Sequence, residues 1–252
     1  MRCPAGKWTN YCVSLLTLVL TVFAVGCIKL DQTLVIKDDA SGTFEVTYTI
    51  SEDAISQTRA ALKLREQMTE PGESATEGVD ERFIAVFLNP AEGGIRREIK
   101  KYAGLGIALD KLEIKIRESS RYVHMKLSFK NLANVAKADF FRENGFSLSK
   151  NSDGNYVLLR EAGNKPENEP TSLLAPDAMK LLTPILAGFN VAVNVSVPGK
   201  ILKTNAHKSA AYSATWNFNE DRDPNAFTTL QNQRFSITFD GRGLNLPQIV
   251  LK

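Results

Sequence analysis

The sequence predicts an α+β fold, in which a mainly antiparallel β-sheet of about eight strands is covered by a few helices. Many short segments alternate apolar and polar residues, as strands with one buried face do. Short runs of turn residues separate several of these segments, which favours antiparallel hairpins. Segments with helical periodicity are few and lie between residues 51 and 141.

The strands are predicted where alternation is regular. Residues 34–36 and 44–50 are predicted to form a hairpin around the turn at 38–42. Residues 112–117 and 123–129 are predicted to form a second one around Ser119 and Ser120. Further strands are predicted at residues 155–160, 191–197, 212–218 and 235–239.

The first helix is predicted from its N-cap. Ser51 is a good capping residue, and Glu52 and Asp53 place negative charge in the first turn of a helix that ends near Met68. Further helices are predicted at 80–88, from beyond Pro90 toward Tyr102, and at 131–141, while the polar segments 69–78 and 160–172 are predicted to be surface loops.

Residues 181–199 carry no charge, and this length raises the question of a membrane span. Pro184 and Pro198 interrupt the segment, and Asn190 and Asn194 are polar. Its second half alternates with a period of two, which predicts a buried strand instead.

The N-terminus has the order of a secretory signal. Arg2 and Lys7 precede an uncharged run at 11–26 that closes on small residues, so we expect residues 1–26 to be cleaved as a signal peptide. An uncleaved anchor with an incidental cysteine is the alternative. The soluble part is then one domain, residues 27–252.

The stretch Phe23-Ala24-Val25-Gly26-Cys27 resembles a bacterial lipobox, although Ala24 stands where leucine is preferred. The resemblance implies that Cys27 receives acyl chains such as palmitate and anchors the protein to a membrane of the cell envelope. Cys3 and Cys12 lie in the leader, so Cys27 is the one cysteine retained. Ile28 in place of aspartate implies the outer membrane if the host is Gram-negative.

Composition excludes several classes of protein. With 43% hydrophobic and 23% charged residues, the chain is neither disordered nor collagen-like. Loss of Arg2 and Lys7 lowers the formal net charge from +3 to +1. A nearly neutral domain argues against nucleic acid as a partner, because phosphate binding requires concentrated positive charge.

The sequence contains none of the familiar catalytic or nucleotide-binding motifs, so we predict no catalytic residues, no cofactor and no metal site. His124 is interpreted as a solvated residue on a strand, and His207 as part of a polar turn. Glu220, Asp221 and Asp223 are interpreted as a turn and helix start, since acids favour helix N-termini. A cation site is the alternative for these acids.

The segment VNVSVPGKILKTNAHKSAAYSATWNF, residues 193–218, resembles the LppM-type domain of bacterial envelope lipoproteins. The positions that carry the resemblance are Pro198, Gly199, Asn205, Ala206 and Trp216. The resemblance implies an α+β envelope domain of a kind able to bind lipids or glycolipids, and it does not imply an enzyme. These residue types can also be explained without the resemblance. Pro198-Gly199 and Asn205 suit turns, and Trp216 lies among the alternating apolar residues of a predicted strand, where its ring would be buried.

Three functions follow from these observations. The protein binds a lipid or lipid-like ligand, or it is a scaffold or assembly factor that contacts another envelope protein, or it is an enzyme with a dispersed site. A cavity with apolar walls would favour the first function, and a solid core with an exposed apolar patch would favour the second.

Overall fold

The computed structural model describes residues 28–68, 88, 90–138, 145–162 and 183–250. A turn of 3-10 helix lies at Ala103–Leu105. The elements are β1 (Ile28–Ile36), β2 (Gly42–Ser51), α1 (Glu52–Met68), α2 (Glu92–Lys100), β3 (Ile107–Arg117), β4 (Ser120–Phe129), α3 (Leu132–Val135), β5 (Phe146–Lys150), β6 (Tyr156–Arg160), β7 (Asn190–Ser196), β8 (Ile201–Thr204), β9 (Lys208–Ser209), β10 (Ser213–Asn219), α4 (Ala226–Asn232) and β11 (Phe235–Phe239).

The strands of this described part form two sheets. The larger has seven strands in the order β3-β4-β2-β1-β7-β10-β9, and the smaller has four in the order β5-β6-β11-β8. Every pairing is antiparallel except that of β1 with β7. The α+β prediction is therefore confirmed, although the strands divide between two sheets and exceed the predicted eight.

Both predicted hairpins are present. β1 pairs with β2 and begins at Ile28, six residues before the predicted start at residue 34. The alternation was not recognised before residue 34 because Gln32 interrupts the apolar phase that Leu30 and Leu34 share. β3 pairs with β4 through a two-residue turn. Glu118 and Ser119 in that turn have φ values of 48° and 57°, as a tight hairpin turn requires at both central positions.

The first helix begins where the sequence predicts. Ser51 Oγ accepts a hydrogen bond from the Ala54 backbone N–H at 3.1 Å, and Ala54 and Ile55 are buried. The helix predicted toward Tyr102 is α2. The helix predicted from 131 is shorter: Asn131 caps α3, and helical geometry ends at Val135.

Several predicted elements lie wholly or largely outside the described residues. These are the helix at 80–88, of which only Leu88 is described, the loop at 69–78 and most of the loop at 160–172.

The core lies between the two sheets and beneath the helices. Trp216 on β10 is fully buried, and its ring meets Phe235 of β11 edge to face, with ring centroids 4.9 Å apart. Phe218 contacts Phe235 in the same manner. The strand predicted at 212–218 begins one residue later than expected, because β10 begins at Ser213 and Tyr212 lies exposed just before it.

The uncharged segment contains β7, which lies between β1 and β10 in the larger sheet. Val191 and Val195 on this strand are buried, which confirms the predicted strand. Among the described helices, none is both long enough and apolar enough to cross a membrane.

Candidate functional site

The predicted anchor residue Cys27 and the predicted signal peptide, residues 1–26, lie outside the described residues. The structure begins with Ile28, the residue that follows Cys27. Ile28 is buried and pairs with Ile50 of β2. The regular sheet therefore starts one peptide bond after the predicted anchor.

Pro198 and Gly199 form the connection from β7 to β8. A Cβ atom at Gly199 would lie 2.0 Å from the Asp240 carbonyl oxygen, so no other residue fits without a backbone shift. The Asp240 N–H also donates a hydrogen bond to the Lys200 carbonyl at 2.9 Å. This turn thus packs against the chain that leaves β11.

Asn205 connects the end of β8 to the start of β11. Its Nδ2 donates to the Arg234 carbonyl at 2.6 Å, and its Oδ1 accepts from the Ser236 N–H at 3.0 Å. Ala206 packs against the core, and its N–H donates to Thr204 Oγ1. With Trp216 between the sheets, these residues have structural contacts that account for their positions.

His207 and the acidic cluster also have structural contacts. His207 Nδ1 accepts from the Asn217 N–H at 3.0 Å. The Glu220 carboxylate accepts from the Gly188 N–H at 2.6 Å. The Asp223 carboxylate accepts from the Asn225 N–H, and the Asp223 backbone carbonyl accepts from the Ala226 N–H where α4 begins. Within the described chain, no group of three His, Cys, Asp or Glu residues could hold a metal ion.

The interpretation of His124 as a solvated residue is wrong. Its side chain is only 13% exposed, and Nε2 lies 2.7 Å from Glu45 Oε1. β2 and β3 flank β4 on both sides, so neighbouring side chains cover the ring. Partial burial opposes ionisation of Glu45, but the hydrogen bond from His124 and the charge of Lys126 outweigh it and lower the pKa of Glu45.

Glu113 lies beside His124 on the same polar face. Hydrogen bonds from Lys115 and Lys111 lower the pKa of Glu113 to about 2. Arg117 approaches the same carboxylate at 3.5 Å. The pKa values of both acids on this described face, Glu45 and Glu113, are thus lowered by neighbouring hydrogen-bond donors and cations.

Replacement of Glu113 by Gln tests this charge network through the pH dependence of stability. The folded-state pKa of about 2 lies below the ordinary 4.5, so the ionised carboxylate stabilises the fold above pH 4.5 and this contribution is lost as the pH falls toward 2. We expect Glu113→Gln to be less stable than the parent protein at neutral pH and the difference to shrink between pH 4.5 and 2. Urea denaturation of both proteins at several pH values measures this difference in the free energy of unfolding.

Glu118→Gln, at an exposed acid in the adjoining turn, is the matched control and should leave that acid dependence unchanged. A Glu113→Gln protein whose difference from the parent stays constant across this pH range would contradict the assignment.

A groove lies between α2 and the first residues of β3. It is a shallow, largely open depression with a volume of about 260 Å³. We call it the basic groove; it is lined by Arg96, Ile99, Lys100, Ala103, Ile107, Ala108 and Leu109. Ile99 and Ile107 are buried, so the groove combines apolar walls with two cations.

The two cations of the basic groove differ in their pairing. Arg96 Nε and Nη2 contact Glu92 Oε1 at 2.9 and 2.8 Å. Lys100 lies one turn further along α2, and no described residue forms a hydrogen bond or an ion pair with its Nζ. The groove can therefore accept an anionic group at Lys100 and an apolar chain beside it.

Sequence reasoning did not find the basic groove. The i, i+4 spacing of Arg96 and Lys100 places both on one side of a helix and was an available signal. The other wall comes from β3, and only the packing of α2 on that strand brings it close.

Comparisons with known proteins add little to this geometry. No protein-family model matches the chain, and no curated protein matches it. Among solved structures, the NMR structure of the folded domain of LppM from Mycobacterium tuberculosis aligns at 13% sequence identity with a TM-score of 0.37. The alignment covers 88% of this chain and 96% of that domain.

Proposed function

We propose that this protein is an envelope lipoprotein, anchored through acyl chains on Cys27, that binds an amphiphile with an anionic headgroup in the basic groove and has no catalytic activity. The proposal of ligand binding rests on one observation, the combination of apolar side chains with Lys100, a cation that has no partner in the described structure. The proposal of acylation at Cys27 rests on the predicted signal peptide and lipobox.

The anchor is supported by the chemistry of the N-terminus. Cys27 is the one cysteine outside the predicted leader, so no other thiol of the mature chain competes for acylation. A single acyl chain binds membranes only weakly, whereas two or more give stable attachment. The lipobox route supplies several chains to one cysteine.

The size and charge of the basic groove define the ligand class. A volume of about 260 Å³ is near the lower limit for small-molecule sites, so it suits a headgroup and the first part of one chain. Ala108 and Leu109, which are more exposed than Ile99 and Ile107, provide the apolar contacts. Because a lysine ammonium is a mobile point charge, it suits a phosphate or carboxylate without demanding one geometry.

Lys100→Glu tests ligand binding in the complete acylated protein, purified from membranes in detergent. We expect lipid extracts of the parent protein to contain an anionic amphiphile and those of Lys100→Glu to contain at least about tenfold less, since reversing a contacting charge costs roughly 1.4 kcal/mol or more in affinity. Mass spectrometry of the extracts, normalised to protein, measures it.

Lys101→Glu is the matched control, because Lys101 carries the same charge on the next residue but pairs with Glu98 and does not line the groove. Parent protein without bound lipid, or equal losses in both variants, would contradict the ligand proposal.

A scaffold that contacts another envelope protein is the second candidate. Leu202 and Tyr212 are both exposed large side chains, and a hydrogen bond of 2.7 Å between the Ile201 N–H and the Ala211 carbonyl holds their segments together. Exposed apolar side chains that lie close together favour protein contacts. A Leu202→Asp protein that keeps its lipid but loses a crosslinked partner would favour this function over the first.

A further inference from the structure

We infer that the end of the seven-stranded sheet that carries Ile28 faces the bilayer, and that the β3–β4 turn contacts it, with Ile116 in the headgroup region and Lys115 and Arg117 beside anionic headgroups. This inference rests on the acylation of Cys27 in the proposed function. It adds an orientation and a membrane-contact surface, which anchoring alone does not supply.

The first step is the absence of a linker between the anchor and the fold. Ile28 follows Cys27 directly, is buried, and pairs with Ile50. Lys29, the next residue, pairs with β2 on one side and with β7 on the other. No residue separates the predicted anchor from Ile28 in the sequence, and consecutive Cα atoms are about 3.8 Å apart.

The second step is the register of the sheet. Ile28 pairs with Ile50, Ile50 with Arg121, and Arg121 with Ile116, so these four residues form one row across four strands. Neighbouring strands are about 4.8 Å apart, which places Ile116 roughly 14 Å from Ile28 at the same height on the sheet. The turn beyond Ile116 lies past the end of the sheet at which β1 begins.

The third step is the chemistry of this turn. Ile116 is 66% exposed, which is unusual for a large aliphatic residue on a paired strand. Lys115 and Arg117 on either side of it are also exposed, and Arg117 lies over the Tyr122 ring at 5.4 Å. Both cations contact Glu113, which Lys111 contacts as well, so this cluster of three cations and one acid keeps a net positive charge. An apolar side chain flanked by long cations suits a membrane interface, because the cations reach headgroups while the apolar group is buried.

The turn is also held in place. The Ser119 carbonyl accepts a hydrogen bond of 2.8 Å from the Glu52 N–H at the start of α1. Arg121 on the next strand forms an ion pair of 3.0 Å with Glu52 and donates to the Leu88 carbonyl. The position of Ile116 relative to Ile28 is therefore set by the fold.

The orientation also locates the basic groove. Ile107 and Leu109 lie at the opposite end of β3 from Ile116, and a strand rises about 3.3 Å per residue. The nine residue steps from Ile107 to Ile116 therefore separate the groove from the β3–β4 turn by roughly 30 Å along the strand.

Site-specific labelling tests the orientation in the acylated protein. Cys3 and Cys12 lie in the predicted leader and acylated Cys27 has no free thiol, so Ile116→Cys supplies the one reactive site for a polarity-sensitive fluorophore. The labelled protein is reconstituted in vesicles of equal parts phosphatidylcholine and phosphatidylglycerol. We expect a blue-shifted emission that a lipid-borne quencher reduces.

Leu202→Cys is the matched control, because Leu202 is 53% exposed but lies far from the Ile28 row. It lies on β8, which is bonded to Ala211 just before β10 begins, and that end of β10 is the one remote from the Ile28 row. We expect its label to emit as in water and to resist the lipid-borne quencher. Acylated protein in which the label at 116 emits as in water, or in which both labels respond equally, overturns the inference alone. Protein without acyl chains, shown by its intact mass, overturns the proposed anchor as well.

Discussion

Trp216→Ala is expected to lower the free energy of unfolding by about 3–5 kcal/mol, a large part of the stability of a typical domain. The indole is fully buried and joins the two sheets through its edge-to-face contact with Phe235. Alanine would remove this contact and leave a cavity that β10 and β11 cannot close, because both strands are fixed by their pairing. Urea denaturation followed by circular dichroism measures the loss.

Trp216→Phe is the matched control for this substitution. It keeps an aromatic ring against Phe235 and removes the indole N–H, which has no hydrogen-bond partner in the described structure. An unsatisfied buried donor is itself costly, so the loss should be clearly smaller than that of Trp216→Ala. A loss below about 1 kcal/mol for the alanine variant would contradict a central core role for Trp216.

Cys27→Ser is expected to abolish acylation and release the protein from membranes. Serine lacks the thiol that the lipid modification requires, and without acyl chains the near-neutral mature domain has little to hold it at a bilayer. Radioactive palmitate should label the parent protein and leave the variant unlabelled. Fractionation should move the mature domain to the soluble fraction or leave an unprocessed precursor.

Cys12→Ser is the control for cysteine chemistry in general, since Cys12 lies within the predicted leader and should not affect labelling of the mature chain. Equal palmitate labelling of Cys27→Ser and parent protein would show that residue 27 is not the acylated position. The bilayer orientation inferred from Ile28 would then lose its basis.

The sequence by itself determined the local features of this fold. Both long hairpins were predicted because alternation and turn residues act over a few positions, and Ser51 was predicted as a helix cap because its partner, Ala54, is three residues away. Burial of Trp216 was predictable because it alternates with polar residues and lies on the same side of β10 as Ala214 and Phe218. Three short strands, β5, β8 and β9, were missed. β8 and β9 have only four and two residues, which are too few to show a period.

The tertiary structure alone decided which distant elements meet. β1 pairs in parallel with β7, and Asn194 hydrogen-bonds Gln32 across a separation of 162 residues, for which no local pattern exists. The contact of His124 with Glu45 likewise depends on the β2–β4 register. The basic groove exists only because α2 packs on β3. Such contacts arise when the whole chain buries its apolar faces together, and sequence periodicity records which residues are buried but not their partners.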